Sequence, residues 1–380
     1  MSNHLAIAIA IVINAHKFPP QIKEELIRFA NTTLSQPQRS VRNKKNISQK
    51  TVEARLYGVC SCIDTLIDLK FAVKTLDNVG EKHIAALHSA WGEAAGRHEK
   101  SVGRIHNLNC YLRLLFDVHL KKHGLVKPVS SYDVNCKRTY AAAEDKSWDG
   151  RGIDVDAIIG RIAARGGDHQ IAAAQLELCL AFGLRVSEAW LARPLQLLDE
   201  AIDREILRIQ HGTKGGRPRD VPLIELTQLD VLTRVAAFAR GQHQSMIPLR
   251  YELQQWKTRY YTIVRSHGLQ RDDSDGALGV TSHGLRHQYL HALYKRLTGV
   301  DAPLKGATTI NLETHRAALK TLIEHAGHSD VRKASAYLGS PILIRKLDRL
   351  KRALDTSEPR KDNLSPPAKS GSADDAESQA

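Results

Sequence analysis

The chain has 380 residues, enough for two domains, and an apolar fraction of 42% that permits sizeable cores. Its 55 Lys+Arg against 41 Asp+Glu leave a formal charge of +14, which points to a polyanionic partner, nucleic acid before an anionic membrane surface. The cysteines (Cys60, Cys62, Cys110, Cys136, Cys179) are odd in number and scattered, which argues against a disulfide framework and for a reducing compartment. Cys60-x-Cys62 without a second pair is a poor zinc signature, and no metal or other cofactor is expected.

Residues 5–14, Leu-Ala-Ile-Ala-Ile-Ala-Ile-Val-Ile-Asn, form the only long apolar run. It is too short to span a bilayer and lacks the preceding basic residues of a secretory signal. A terminal strand or helix packed on a neighbour is the expectation, with a signal peptide as the disfavoured alternative, and no membrane partner is expected. A short helical pattern covers Ile22 to Ala30, and a polar, basic stretch follows from Gln36 to Lys45. Residues 1–45 therefore read as an N-terminal arm. Lys44 and Lys45 are its candidate phosphate contacts, with a solvated loop as the alternative.

Residues 46–130 read as a helical domain. Patterns run from Val52 to Leu69 and from Glu81 to Ala95. A third places Ile105, Leu108, Leu112, Leu115 and Val118 at three- and four-residue steps. Arg97, Lys100, Arg104, Lys121 and Lys122 give this bundle a basic rim. The chain then turns polar, and residues 131–152 read as a linker.

Helices resume at Ile153, and a second domain is expected over 153–354. Gln170 to Leu184 is strongly apolar. The period then changes: short alternating runs on each side of His-Gly-Thr-Lys-Gly-Gly-Arg-Pro-Arg219 predict a β-hairpin. Helical patterns follow at 226–240, 252–267, 284–297, 313–325 and 330–338. Leu343, Leu347, Leu350 and Leu354 form a narrow apolar stripe between basic residues. Pro, Ser, Gly, Asp and Ala then dominate, and 355–380 reads as a disordered tail. The chain as a whole is expected to be mainly α with a small β-hairpin.

Several residues of this second domain carry chemistry. In Ala181-Phe-Gly-Leu-Arg-Val-Ser-Glu188, Arg185 stands where an apolar helix ends, and Glu188 is the acid that could partner it. Lys214 lies at the hairpin tip with Arg217 and Arg219 beside it, where glycines allow a ligand close to the backbone. Those two arginines are candidate DNA contacts. Thr281-Ser-His-Gly-Leu-Arg-His287 starts a helix that puts His283 and Arg286 on one face.

Finally, Tyr337 follows His328 by nine residues, a rotation of roughly 900° that would oppose the two side chains on one straight helix. They meet only if a short helix starts after His328, capped by Ser329 or Asp330 and stopped by Gly339.

Arg185, Lys214, His283–x–x–Arg286, His328 and Tyr337, in that order, resemble the tyrosine recombinase (phage integrase) family over about 153–354. The resemblance implies a helical core-binding domain followed by a mixed α/β catalytic domain. It implies DNA strand transfer through a 3′-phosphotyrosine, on double-stranded DNA, by a homotetramer. Leu343 to Leu354 is the candidate helix for docking on the adjacent protomer, with packing on its own domain as the alternative, and accessory DNA-bending proteins are allowed for. The expected setting is the cytoplasm, on the nucleoid, in the integration or excision of a phage or other mobile element. A recombinase that resolves chromosome multimers, a non-catalytic DNA-binding relative and a strand-relaxing topoisomerase are the alternatives. His283 and His328 stand 45 positions apart, which implies an insertion around 300–315. Ala326, Ser335 and Gly339 also depart from the usual leucine, threonine and histidine.

The residue types suit that reaction. Two arginines, Arg185 and Arg286, can clamp the non-bridging oxygens of a phosphodiester with forked donors. A free phenol, with a pKa of about 10, needs a base or a cationic site to become a nucleophile. His283 is the expected base, His328 the expected donor to the scissile phosphate, and Lys214 the expected acid for the departing 5′-oxygen. A covalent link conserves the phosphodiester's energy, so neither ATP nor a metal is required.

Overall fold

The computed structural model describes residues 3–34, 48–271, 274–306 and 311–340. Lys44, Lys45, the Leu343–Leu354 stripe and the tail 355–380 lie outside the described residues. The chain divides into two compact units after Thr139.

The first unit is helical: α1 (Asn3–Asn14), α2 (Pro20–Phe29), α3 (Gln49–Asp68), α4 (Glu81–Gly96) and α5 (Val102–Arg113). Over residues 9–34 the expected arm is instead part of a core. Ile9, Val12 and Ile13 of α1 and Ile22, Leu26 and Phe29 of α2 are buried with Leu56, Val59 and Ile63 of α3. Part of the apolar run is thus buried in its own unit, while Ile11 is 62% exposed. Pro20 opens α2, where its missing N–H costs no helical bond.

The third predicted helix also differs from its pattern. After Arg113 the chain widens into a π-helical turn, Leu114–His119. Bonds to the fifth residue shift the phase of a 3.6-residue pattern. Leu115 stays buried, while Val118 comes out 47% exposed.

The second unit contains α6 (Val155–Ala163), α7 (Gly167–Phe182), α8 (Val186–Leu191), α9 (Pro194–Arg204), strands β1 (Ile206–Ile209) and β2 (Arg219–Pro222), α10 (Thr227–Ala236), α11 (Leu253–Ser266), α12 (Ser282–Thr298), α13 (Leu312–His325) and α14 (Ser335–Leu338). The apolar α7 lies at its centre, packed by α6, α8, α10, α11 and α12. A helix apolar nearly all round has to be enclosed. The expected hairpin forms: β1 and β2 are antiparallel, with Ile206 opposite Pro222 and Ile209 opposite Arg219.

The contact boundary cuts through the expected linker. Residues from Tyr140 onward belong to the second unit, where Trp148 is fully buried and its Nε1–H donates to the Thr281 carbonyl at 2.8 Å. The expected insertion is described except for 307–310, and its Lys305 pairs with Asp149. Among the described residues no helix is long and apolar enough to cross a membrane.

Candidate active site

Three chain breaks present the polar side chains. Gly183 ends α7 in the left-handed conformation, and Arg185 caps the start of α8. α12 begins at Ser282 and carries His283, Arg286, His287 and His291. α13 stops at His325, and Gly327 turns the chain at φ +62°. A Cβ on Gly327 would also lie 2.7 Å from Arg219 Cδ, so both the backbone and the space require glycine. Asp330 then caps a short 3₁₀ turn by accepting from the Arg332 N–H, and α14 carries Tyr337 to its end at Gly339. The short helix after His328 thus brings Tyr337 back to it.

The Tyr337 hydroxyl is 3.1 Å from His328 Nε2 and 3.4 Å from Arg286 Nε. With the Nδ1–H tautomer, Nε2 accepts from the phenol, and the Arg286 Nε–H donates to the phenol oxygen. Arg185 Nη2 is 3.4 Å from the same His328 nitrogen and donates to the Ala326 carbonyl at 2.9 Å. Arg286 Nη2 donates to that same carbonyl, and its Nη1 to the Gly183 carbonyl. The two guanidiniums therefore share one oxygen beside the phenol. Arg286 is completely buried, with its guanidinium 5.6 Å from the centre of the Tyr337 ring.

His283 lies further off, its ring centre 6.3 Å from that of Tyr337. His287 is nearer, at 5.0 Å. His291 Nε2–H donates to the Tyr337 backbone carbonyl at 2.9 Å. Lys214 sits on an exposed 3₁₀ turn in the hairpin loop, within electrostatic reach of His328. A cavity of about 450 Å³ opens here, lined by Lys146, His283, His287, His328, Lys333 and Tyr337 among others.

The charges around the cavity are nearly all positive. Burial, then Arg185, Arg286, Lys214 and Lys333, push His328 down to about 4. Burial, then Arg286 and Arg185, push His283 down to about 4 as well, although its ring opens onto the cavity. Both imidazoles are neutral at neutral pH and able to take a proton.

Glu188 supplies the balancing charge. Its carboxylate is fully buried, 2.7 Å from Arg185 Nη1, 2.6 Å from Arg219 Nη1 and 4.0 Å from Arg286 Nη1. Burial alone would raise this carboxyl, but Arg219 and then Arg185 more than offset it and hold it below the usual range.

Arg219 is accordingly no surface contact. It is 7% exposed, and its Nε–H donates to the His325 carbonyl at 2.7 Å. The expectation that it touches DNA is corrected: β2 turns it inward, two residues before the buried Val221. Arg217, by contrast, is exposed. The structure thus gathers Arg185, Arg286, His328 and Tyr337 directly, with His283 and Lys214 at the margin. The roles of His287, His291 and Lys146 were not read from the sequence, though His287 and His291 stand four and eight residues after His283, on one helical face.

The family model described as Integrase matches residues 154–292. Over that segment the chain is similar to the integrase family. The matched integrase segment holds Arg185, Lys214, His283 and Arg286; His328 and Tyr337 follow it. The Tn1549 transposon integrase, solved in complex with transposon right end DNA, has 12% identity and a TM-score of 0.50, over 86% of this chain and 99% of that one. The XerH site-specific recombinase, solved bound to a palindromic difH substrate, has 15% identity and a TM-score of 0.47, over 92% of this chain and 94% of that one. The first likeness establishes the fold. No curated protein matches the chain.

Proposed function

We propose that this chain is a site-specific DNA recombinase that cuts and rejoins strands through a 3′-phosphotyrosine. The observation that carries the reading is the phenol of Tyr337 within hydrogen-bond reach of both His328 and Arg286, beside Arg185. The Tyr337 oxygen attacks the scissile phosphorus, and the bond from phosphorus to the 5′-oxygen breaks. The phenol proton passes to His328 Nε2, and Lys214 gives a proton to the departing oxygen. Arg185 and Arg286 turn from the Ala326 carbonyl to the non-bridging oxygens, where charge builds in the transition state. His283 adds a donor to the phosphate. This exchanges the roles expected of the two histidines, because His328 is the imidazole in contact with the phenol. Rejoining is the reverse: a 5′-hydroxyl from another strand attacks the phosphotyrosine.

The basic excess supplies the grip on double-stranded DNA in the cytoplasm. Exchange between two duplexes calls for a tetramer. Integration and excision of a phage or other mobile element is the setting this reading favours.

The test is covalent trapping on a randomised pool of duplexes carrying a nick beside each position, so that cleavage releases a short fragment and stalls. The full chain is expected to give a denaturant-stable adduct, and the Tyr337→Phe chain none while still binding DNA. An adduct with the Phe variant removes Tyr337 as the nucleophile. Relaxation of supercoils without strand exchange points to a topoisomerase instead.

A further inference from the structure

The strap 142–151 has no part in the chemistry above, yet it walls the cavity. Its backbone presses on the start of α12. A Cβ on Gly284 would lie 2.4 Å from the Lys146 carbonyl oxygen and 2.7 Å from Trp148 Cδ1, so no side chain larger than hydrogen fits there. The strap is pinned elsewhere too. The Ala142 N–H donates to the Ser335 carbonyl at 2.8 Å, two residues before the nucleophile. The Trp148 indole is tied to Thr281, and Asp145 accepts from both the N–H and the hydroxyl of Ser147, at 2.9 and 2.6 Å. Lys146 therefore stands on a fixed backbone, unlike Lys214 on its hairpin loop.

Lys146 is half-buried and lines the cavity together with Arg271 and Arg151. Arg151 is committed to the strap: its Nη2 is 3.1 Å from Glu144, and its Nε–H donates to the Asp145 carbonyl. Among the described residues no carboxylate pairs with Lys146 or Arg271. Burial and then the charge of Arg271 disfavour the Lys146 ammonium, and Glu144 offsets them only in part. Like charges held at one wall of a concave site are unfavourable until an anion lies between them. The scissile phosphate is already provided for by Arg185 and Arg286 at Tyr337. A polynucleotide brings further phosphates, one for every ~3.4 Å of rise along each strand.

We propose that Lys146, with Arg271, binds a non-scissile phosphate of the cleaved strand beside the one at Tyr337. The strap then fixes the register of the strand over the nucleophile, as phosphate contacts do without reading sequence. The proposal rests on the reading of this cavity as a strand-transfer site.

Two measurements test it. The first is the salt dependence of binding to a random-sequence duplex by the Tyr337→Phe chain, which needs no cleavage. One phosphate contact contributes about 0.9 to the slope of log K against log salt. With Lys146→Gln added, the chain is expected to lose about 3.5-fold less affinity than its parent between ~50 and ~200 mM salt, and Lys146→Arg to match the parent. The second uses a duplex recovered by trapping, with neutral methylphosphonates placed one at a time around the cleavage position. One flanking position is expected to weaken the parent and to leave the Lys146→Gln chain unaffected. Gly284→Ala, which displaces the strap while keeping the lysine, is expected to behave like Lys146→Gln. An unchanged slope in Lys146→Gln overturns the proposal, and so does a reduced slope with no single coupled position. If no adduct is ever trapped, the strand-transfer reading falls, while the salt slope still decides whether Lys146 holds a phosphate.

Discussion

Arg219 gives the sharpest test of the site's architecture. Its Nη1 lies 2.6 Å from a carboxylate oxygen of Glu188, and the two side chains are 4% and 0% exposed. Removing one partner of a buried pair costs about 3–5 kcal/mol, because the other charge is left without compensation. Glu188 keeps Arg185 at 2.7 Å and Arg286 at 4.0 Å. The low end of the range, about 3 kcal/mol, is therefore expected for Arg219→Ala. With a urea slope of about 3 kcal/mol/M, that moves the unfolding midpoint of the second unit by about 1 M. The salt dependence of DNA binding is expected to stay as it was, since the Arg219 side chain is only 4% exposed and is bonded to Glu188 and to the His325 carbonyl. Arg217→Ala is the opposite case. Stability is expected to hold within about 0.5 kcal/mol, as for surface substitutions generally, while the salt slope falls. If Arg219→Ala left the midpoint in place and flattened the salt slope, Arg219 would be a phosphate contact and the buried network would be misread.

The pH dependence of adduct formation in a single turnover identifies the base. His328 takes a proton only in its neutral form, which in the free chain prevails above about 4. The rate is expected to fall as pH drops through its pKa and to level off above it. A bound phosphodiester offsets the surrounding cations, so the midpoint in the DNA complex lies higher than in the free chain. His328→Asn is expected to lose this acid limb together with ~10²–10⁴ in rate. A limb that survives in His328→Asn and disappears in His283→Asn would return the role to His283. Gly327→Ala forces a side chain into the left-handed region and against Arg219. A loss of at least about 1–2 kcal/mol in denaturant titration is expected, with slower adduct formation; wild-type stability would show that the turn relaxes freely.

Arg185, Lys214, His328 and Tyr337 were legible because each sits near a break that the sequence announces, whereas His283 and Arg286 share a face in the opening turns of α12. Gly183 and Gly327 mark helix ends, and polar side chains there face outward from the ladder that precedes them. The hairpin was equally plain from its alternation. The inward face of β2 was available from the same alternation, since Val221 fixes the parity that buries Arg219, but the basic run around it reads as surface. The strap was hidden for a different reason. Its composition is polar, and only Trp148 signals that a polar stretch is packed. The phase slip at Leu114–His119 leaves no mark in residue type, so Val118 reads as core when it is not.

Around the phenol, Arg185, Arg219 and Arg286 surround one acid, Glu188. The folded chain thus carries a standing surplus of positive charge in a place that water hardly reaches. A backbone of phosphates would neutralise that surplus and add its binding energy to the native state alone. On the proposed strand-transfer reading, occupancy and thermal endurance are thereby joined: the chain is expected to hold together least firmly with no DNA bound.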